Sequence, residues 1–340
     1  MAKKIKKETI LQIGGIILTV VAFGAAVFAV SKMIKGKSDT SESTYNYQPP
    51  QAPTLYFEGK EYRMRDDMEI ILLMGVDEYE TMGDNGKYVN RSQADVLYLF
   101  AIDHKNKSYQ AIQLNRDTMT SVRTLDSIGR DDGIENMQLC LAHSYGIDDD
   151  QRCRNTMEAV SALLFDVPVD HYISLTMAAL PILNDQVGGV TVTVPAGLES
   201  ADPAFVAGAT ITLGPGQVEK FVRSRMSLAN DTNEFRMERQ QLFLNGWKDK
   251  AAQKMQTDAS FAVNLTFALT DYMVSDMSAN SLSDFASQLN DYEDLGTLKT
   301  TGETLEEGEG RPFREYIVDS DDLQRKVIEL MYEEVTEEHQ

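Results

Sequence analysis

The chain opens on an uninterrupted apolar run and then turns to short alternating or fully apolar blocks. Ile10 to Val30 (ILQIGGIILTVVAFGAAVFAV) carries no charge, and its 21 residues at about 1.5 Å each would cross roughly 31 Å of hydrocarbon. A single transmembrane helix is expected over 10–34. Ser38 to Thr54 is rich in Ser, Thr, Gln, Asn and Pro and reads as a tether. Further on, Phe57 to Tyr62 suggests a hairpin, and Glu69 to Val76 (EIILLMGV) a buried strand bounded by Gly75 and Asp77. Asp95 to Ile102 and Tyr109 to Leu114 flank the turn-like His104-Lys105-Asn106-Lys107 and predict an antiparallel hairpin. Asn155 is the expected cap of a helix ending before Pro168. Tyr172 to Leu175 predicts a strand, Met177 to Leu183 a helix containing Pro181, Thr191 to Val194 a strand, and Ser320 the start of a C-terminal helix.

Strands and helices interspersed in this way predict an α/β fold, a layered α/β/α domain around a central mixed β-sheet, preceded by one N-terminal transmembrane helix. The expected organisation is a basic tail over 1–9, the span over 10–34, a linker over 35–55 and one domain over 56–340.

Charge orients these parts. Lys3, Lys4, Lys6 and Lys7 precede the apolar run and favour a cytoplasmic N-terminus, while Lys32, Lys35 and Lys37 beyond it reduce the asymmetry. Val27-Phe28-Ala29 would suit signal cleavage, but the apolar core exceeds the usual signal-peptide length. Residues 38–340 hold 25 Lys+Arg against 52 Asp+Glu, a formal charge of −27. Such a domain repels polyanions, so a nucleic-acid partner is not expected. Four histidines without ligand spacing argue against zinc, and Cys140 and Cys153 fit either a disulfide or two buried apolar positions.

Hairpin geometry gathers the candidate chemistry. A turn centred between Lys105 and Asn106 pairs positions whose numbers sum to 211, which sets Asp95 opposite Arg116, with Asp117 next in line. If Glu69 to Val76 runs beside and parallel to Tyr109 to Leu114, Asp77 shares that sheet edge. The edge is either an ordinary solvated strand end or an oxygen-ligand site for a hard cation. Downstream, Arg223 and Arg225 share a face if extended, and Arg236, Arg239 and Gln240 share one on a helix. They form an anion site, or else a solvated face paired with Glu234 and Glu238.

Taken together, Ile70 to Asp77 (IILLMGVD), Asp95, Asn115 to Thr118 (NRDT), Ala142 to Gly146 (AHSYG), Val187 to Val190 (VGGV), Phe221 to Arg225 (FVRSR) and Arg236 to Gln241 (RMERQQ) resemble, in order, the motifs of the LytR-CpsA-Psr family. The resemblance implies a bacterial phosphotransferase that moves a glycopolymer from an undecaprenyl-pyrophosphate carrier to a peptidoglycan sugar hydroxyl. It implies Mg²⁺, or Mn²⁺, on Asp77 and Asp95. The pyrophosphate falls to Arg91, Arg116, Arg223, Arg225, Arg236 and Gln240, and catalytic roles to Arg116, Asp117 and Asp231. The isoprenoid would lie in an apolar tunnel lined by segments such as Tyr172 to Leu183. A lipid pyrophosphatase and a non-catalytic wall-polymer binder or regulator are the alternatives. Four amides depart from the family pattern: Gln93 and Gln138 stand where cations are usual, Asn115 for proline and Asn233 for aspartate.

Overall fold

The computed structural model describes residues 49–77, 92–224, 233–258, 260–278, 281, 292–308 and 310–336. The expected span over 10–34 lies outside them, and among the described residues no helix is long and apolar enough to cross a membrane.

The elements run β1 (Leu55–Phe57), β2 (Lys60–Met64), β3 (Met68–Val76), β4 (Ala94–Asp103), β5 (Ser108–Leu114), β6 (Met119–Leu125), β7 (Asp131–Gln138), α1 (Asp149–Leu163), β8 (His171–Thr176), α2 (Ala179–Gln186), β9 (Thr191–Thr193), β10 (Thr210–Thr212), α3 (Pro215–Arg223), α4 (Asn233–Thr257), α5 (Phe261–Leu269), β11 (Met273–Ser275), β12 (Glu293–Lys299), β13 (Gly302–Leu305), β14 (Glu315–Val318), α6 (Ser320–Met331) and β15 (Tyr332–Glu334). Six strands form the central sheet in the order β11-β8-β3-β4-β5-β12. β3 pairs parallel with β8 and β12 parallel with β5, and the other neighbours are antiparallel, so the sheet is mixed.

Period-two alternation along the sheet sends successive side chains into two cores. Ile71, Leu73, Tyr98 and Phe100 pack with Phe221, Phe243, Trp247 and Leu265 of α3, α4 and α5. Ile70, Leu72, Met74, Leu97 and Leu99 pack with Met157 and Val160 of α1 and with Leu323 and Val327 of α6. Helices on both faces explain why β3 reads as a continuous apolar run rather than an alternating one. Gly246 is where α4 meets β9. A Cβ there would lie 2.8 Å from the Thr191 carbonyl oxygen, so the close approach requires glycine.

The hairpin register is as expected: Leu97 pairs with Leu114 and Asp103 with Ser108. Two expectations are corrected. β3 does not adjoin β5, because β4 lies between them; β3 and β5 still run in the same direction, each antiparallel to β4, so Asp77 stays at the Arg116 edge. Asn155 is not a helix cap. α1 begins earlier, where the Asp148 carboxylate accepts the Gln151 N–H at 2.7 Å, with Asp149 and Asp150 in the first turn favoured by the helix dipole. The Asn155 amide is instead buried, donating to the carbonyl oxygens of Arg123, Ala142 and Tyr145. α2 starts two residues later than expected, which places Pro181 within its first turn, where a missing N–H breaks no helical bond.

Candidate functional site

A β-bulge shapes the carboxylate edge. β3 and β4 pair Gly75 with Val96 and Val76 with Ala94, which leaves Asp95 as the extra residue. Bulges re-aim side chains at strand ends, and Asp95, 8 % exposed, meets the guanidinium of Arg116 at Nη1. Arg223, the last residue of α3, brings its Nη2 to 4.0 Å from the other Asp95 oxygen. Beside them, the Asp77 carboxylate accepts the Gln93 N–H at 2.9 Å.

Arg116 is the hub of the site. Its Nε lies 3.3 Å from Asp117 Oδ1, and its Nη2 donates to Gln93 Oε1 and, at 3.0 Å, to Cys140 Sγ. Several partners of different kinds fix the plane of the guanidinium and aim it. Burial pushes the Cys140 thiol up to about 11 despite the opposing pull of Arg116, so it stays neutral there. Cys140 and Cys153 are both free and buried, in keeping with the apolar reading of the pair.

The four amides that depart from the family pattern share one network. Gln93 accepts from Arg116. Asn115 Oδ1 accepts the Asp117 N–H at 3.0 Å and the Asn233 amide at 2.7 Å. Asn233 Oδ1 in turn accepts from Arg236, and Gln138 donates to Asp117 Oδ1 at 3.3 Å and to the Arg314 carbonyl at 2.7 Å. Asn115 and Asn233 therefore complement each other. The Glu234 Oε1 accepts from Thr304 at 2.9 Å and from the Asn115 amide at 3.5 Å.

Two cavities flank the end of α3. The first, about 480 Å³, is polar and is lined by Arg116, Asp117, Gln138, Arg236, Arg239 and Arg314 among others. That volume lies within the range of small-molecule sites. The second, about 120 Å³, is apolar, lined by Leu73, Val96 and Tyr98 of the sheet, Leu180 and Leu183 of α2, and Phe243 and Leu244 of α4. Ser224 lines the polar cavity while Arg223, its neighbour, lines the apolar one.

The placement of the expected site residues is mixed. Asp77, Asp95, Arg116, Asp117 and Arg223 converge, and Arg236 lines the polar cavity. Gln240 lines the apolar cavity together with Arg223, one residue along α4 from Arg239. Arg239 is 1 % exposed and donates to the carbonyls of Phe221 and Ser224, closing the end of α3. Arg91, Arg225 and Asp231 lie outside the described residues. Sequence reasoning missed Phe313 and Arg314, which the β13–β14 hairpin brings to the cavity. Their signal is Arg311-Pro312-Phe313-Arg314 directly after an acidic stretch, an aromatic between cations without a register to place it.

Asp77 and Asp95 offer only oxygen donors, the set that suits a hard cation. Among the described residues no three His, Cys, Asp or Glu side chains are grouped to hold a metal, so a cation there would complete its shell from water and phosphate oxygens.

His143 supports this edge from behind. Fully buried, its Nδ1 lies 2.9 Å from the Ser92 carbonyl, next to Gln93. Burial drives its pKa down from 6.5 to about 4, so the folded chain keeps it neutral where the unfolded chain is protonated. Its contribution to stability is complete above pH 6.5 and is lost as pH falls toward about 4, by up to ~3 kcal/mol. Urea midpoints at neutral and mildly acidic pH should show the loss, and His143→Gln should lose less over the same interval. Equal acid sensitivity in both proteins would contradict it.

Fold and site define a three-layer α/β protein with an arginine-lined polar cavity and an apolar cavity on either side of the end of α3. The chain belongs to the LytR_cpsA_psr family, whose model matches residues 30–329. It is 30% identical over 183 residues to the polyisoprenyl-teichoic acid–peptidoglycan teichoic acid transferase TagU of Bacillus licheniformis, covering 54% of this chain and 52% of that one. With TagU of Enterococcus faecalis it shares 25% identity over 217 residues, 64% of each chain. The chain thus spans about half the length of the first of these relatives and 64% of the second. Among solved structures, a protein from Streptococcus agalactiae aligns with TM-score 0.60 at 20% identity, covering 77% of this chain and 87% of that one. TagT bound to LI-WTA aligns with TM-score 0.56 at 19% identity, covering 78% and 90%. These structures share the fold.

Proposed function

We propose that the protein is a phosphotransferase that moves a glycopolymer from a polyprenyl-pyrophosphate carrier, undecaprenyl in type, onto a sugar hydroxyl of peptidoglycan. The observation that carries this reading is the end of α3, where Ser224 lines an arginine-rich cavity and its neighbour Arg223 lines an apolar one. That is the shape of a charged head with a hydrocarbon tail, and it is consistent with the names borne by the TagU relatives.

In this reading Arg116 and Arg236 face the pyrophosphate, with Arg223 at the start of the tail. At about 120 Å³ the apolar cavity holds only the head-proximal part of a long chain. The acceptor hydroxyl forms a bond to the polymer-proximal phosphorus, the bridging P–O bond breaks, and polyprenyl monophosphate leaves. The hydroxyl proton passes to a carboxylate, Asp117 or Asp231, or to solvent. Such transfers depend on placed positive charge rather than covalent help from the protein. Mg²⁺ or Mn²⁺ held by Asp77 and Asp95 would neutralise charge on the phosphate oxygens. Arg116 carries the charge of the site, and Asp117, Gln93 and Gln138 hold it and its neighbours in line. The anchor over 10–34 would tether the domain outside a bacterial cell membrane of the Gram-positive type, beside its carrier lipid.

Full-length protein isolated from such a host in mild detergent should carry a lipid of polyprenyl-pyrophosphate mass, seen by native mass spectrometry. Protein that neither retains such a lipid nor takes up added polyprenyl pyrophosphate would contradict the reading.

A further inference from the structure

The β13–β14 hairpin lies almost 200 residues beyond Arg116 in the chain, yet it is fastened to the same strand end. Tyr316 N–H donates to the Asp117 carbonyl at 2.8 Å, and Tyr316 forms a parallel bridge with Thr118. Gln138 holds the Arg314 carbonyl at 2.7 Å, while the Arg314 guanidinium is paired with Glu306 at 2.8 Å across the hairpin. Gly308 and Arg311 exchange two 3.0 Å backbone bonds that close the loop. A segment so tied does not drift over the cavity; it holds its side chains at fixed places on the rim.

What it holds there is an aromatic ring. Phe313 lines the polar cavity and is 37% exposed. Most of its neighbours in the lining are charged or amide side chains, and among the described lining residues Leu141 is the other apolar one. An exposed phenyl beside guanidinium groups has a specific use, since its electron-rich face attracts positively polarised C–H groups. A pyranose ring presents such C–H groups on one face and hydroxyls on its edge. A sugar joined to a phosphate places that face within reach of a ring on the rim of a phosphate pocket.

We propose that Phe313 is the stacking platform for a pyranose ring at the pyrophosphate site, with Arg314 and Glu307 facing the sugar's hydroxyls. This inference rests on the transferase reading above. The sugar is either the first unit of the transferred polymer or the accepting unit of peptidoglycan, and one set of variants separates the two.

The full-length chain in detergent is titrated with geranylgeranyl pyrophosphate, and with the same lipid bearing one N-acetylglucosamine on its terminal phosphate. KM for peptidoglycan oligomers is then measured in the transfer reaction. If the donor sugar stacks, the unaltered chain binds the sugar-bearing lipid about tenfold more tightly than the bare one. Phe313→Ala abolishes that increment while binding the bare lipid as before. If the acceptor sugar stacks, Phe313→Ala leaves both lipid affinities alone and raises the oligomer KM by a similar factor without lowering kcat. Phe313→Trp restores the lost quantity and Phe313→Leu does not.

The proposal is overturned if Phe313→Ala changes neither quantity, if it weakens both lipids equally, or if Leu serves as well as Trp. Those outcomes leave the transferase reading standing. An unaltered chain that binds neither lipid overturns both.

Discussion

Arg116→Ala should reduce polymer transfer by about a thousand-fold, a loss of ~4 kcal/mol of transition-state stabilisation, while leaving the fold in place. Its guanidinium touches Asp95, Asp117, Gln93 and Cys140 and faces the polar cavity, so four partners hold its charge in place. The fold survives because Asp95 keeps a second arginine, Arg223, at 4.0 Å, which limits the penalty of a carboxylate left unpaired. Arg116→Lys separates charge from geometry. A point charge without the planar fork should recover part of the rate and little of the affinity for pyrophosphate. Kinetics with a lipid-linked donor and peptidoglycan oligomers, alongside thermal melts, test both variants. Near-normal turnover in Arg116→Ala would remove the residue from the chemistry.

The largest effect on stability is expected at Arg239. Only 1 % exposed, it donates to the carbonyls of Phe221 and Ser224 at the end of α3, where helical carbonyls have no partner within the helix. Arg239→Leu leaves those oxygens buried without donors, at a cost of about 2–4 kcal/mol, which corresponds to a fall in Tm on the order of 5–10 °C. Because the same turn carries Arg223 and Ser224 to the walls of the two cavities, the variant should also bind lipid pyrophosphate more weakly at temperatures where it is folded. A melt within about 1 °C of the unaltered chain would show that the carbonyls find other donors.

Local chemistry was legible in the sequence and distant pairing was not. The β4–β5 register follows from a short turn between two alternating strands, and it placed Asp95 by Arg116 directly. By contrast β3 takes as its parallel neighbour β8, about a hundred residues downstream, and no local pattern specifies such a partner. Asn155 was open to misreading because the same amide that caps a helix can satisfy buried carbonyls from within one. The four departing amides looked like unrelated changes. In space Asn115 answers Asn233, Gln93 answers Arg116 and Gln138 answers Asp117, a pattern of compensation that only the folded chain displays. Arg314 and Phe313 were invisible for the same reason as β8: the hairpin that delivers them is remote in sequence.

Group transfer, rather than binding or hydrolysis, is what sets the proposed activity apart. Its most direct test supplies full-length protein with a polyprenyl-pyrophosphate-linked glycopolymer, peptidoglycan oligomers and Mg²⁺, and determines the masses of the products. Polymer joined to the oligomer through one phosphate, with polyprenyl monophosphate released in equal amount, is the expected result. Free polymer phosphate with unmodified oligomer, or a donor left intact while bound, would contradict it.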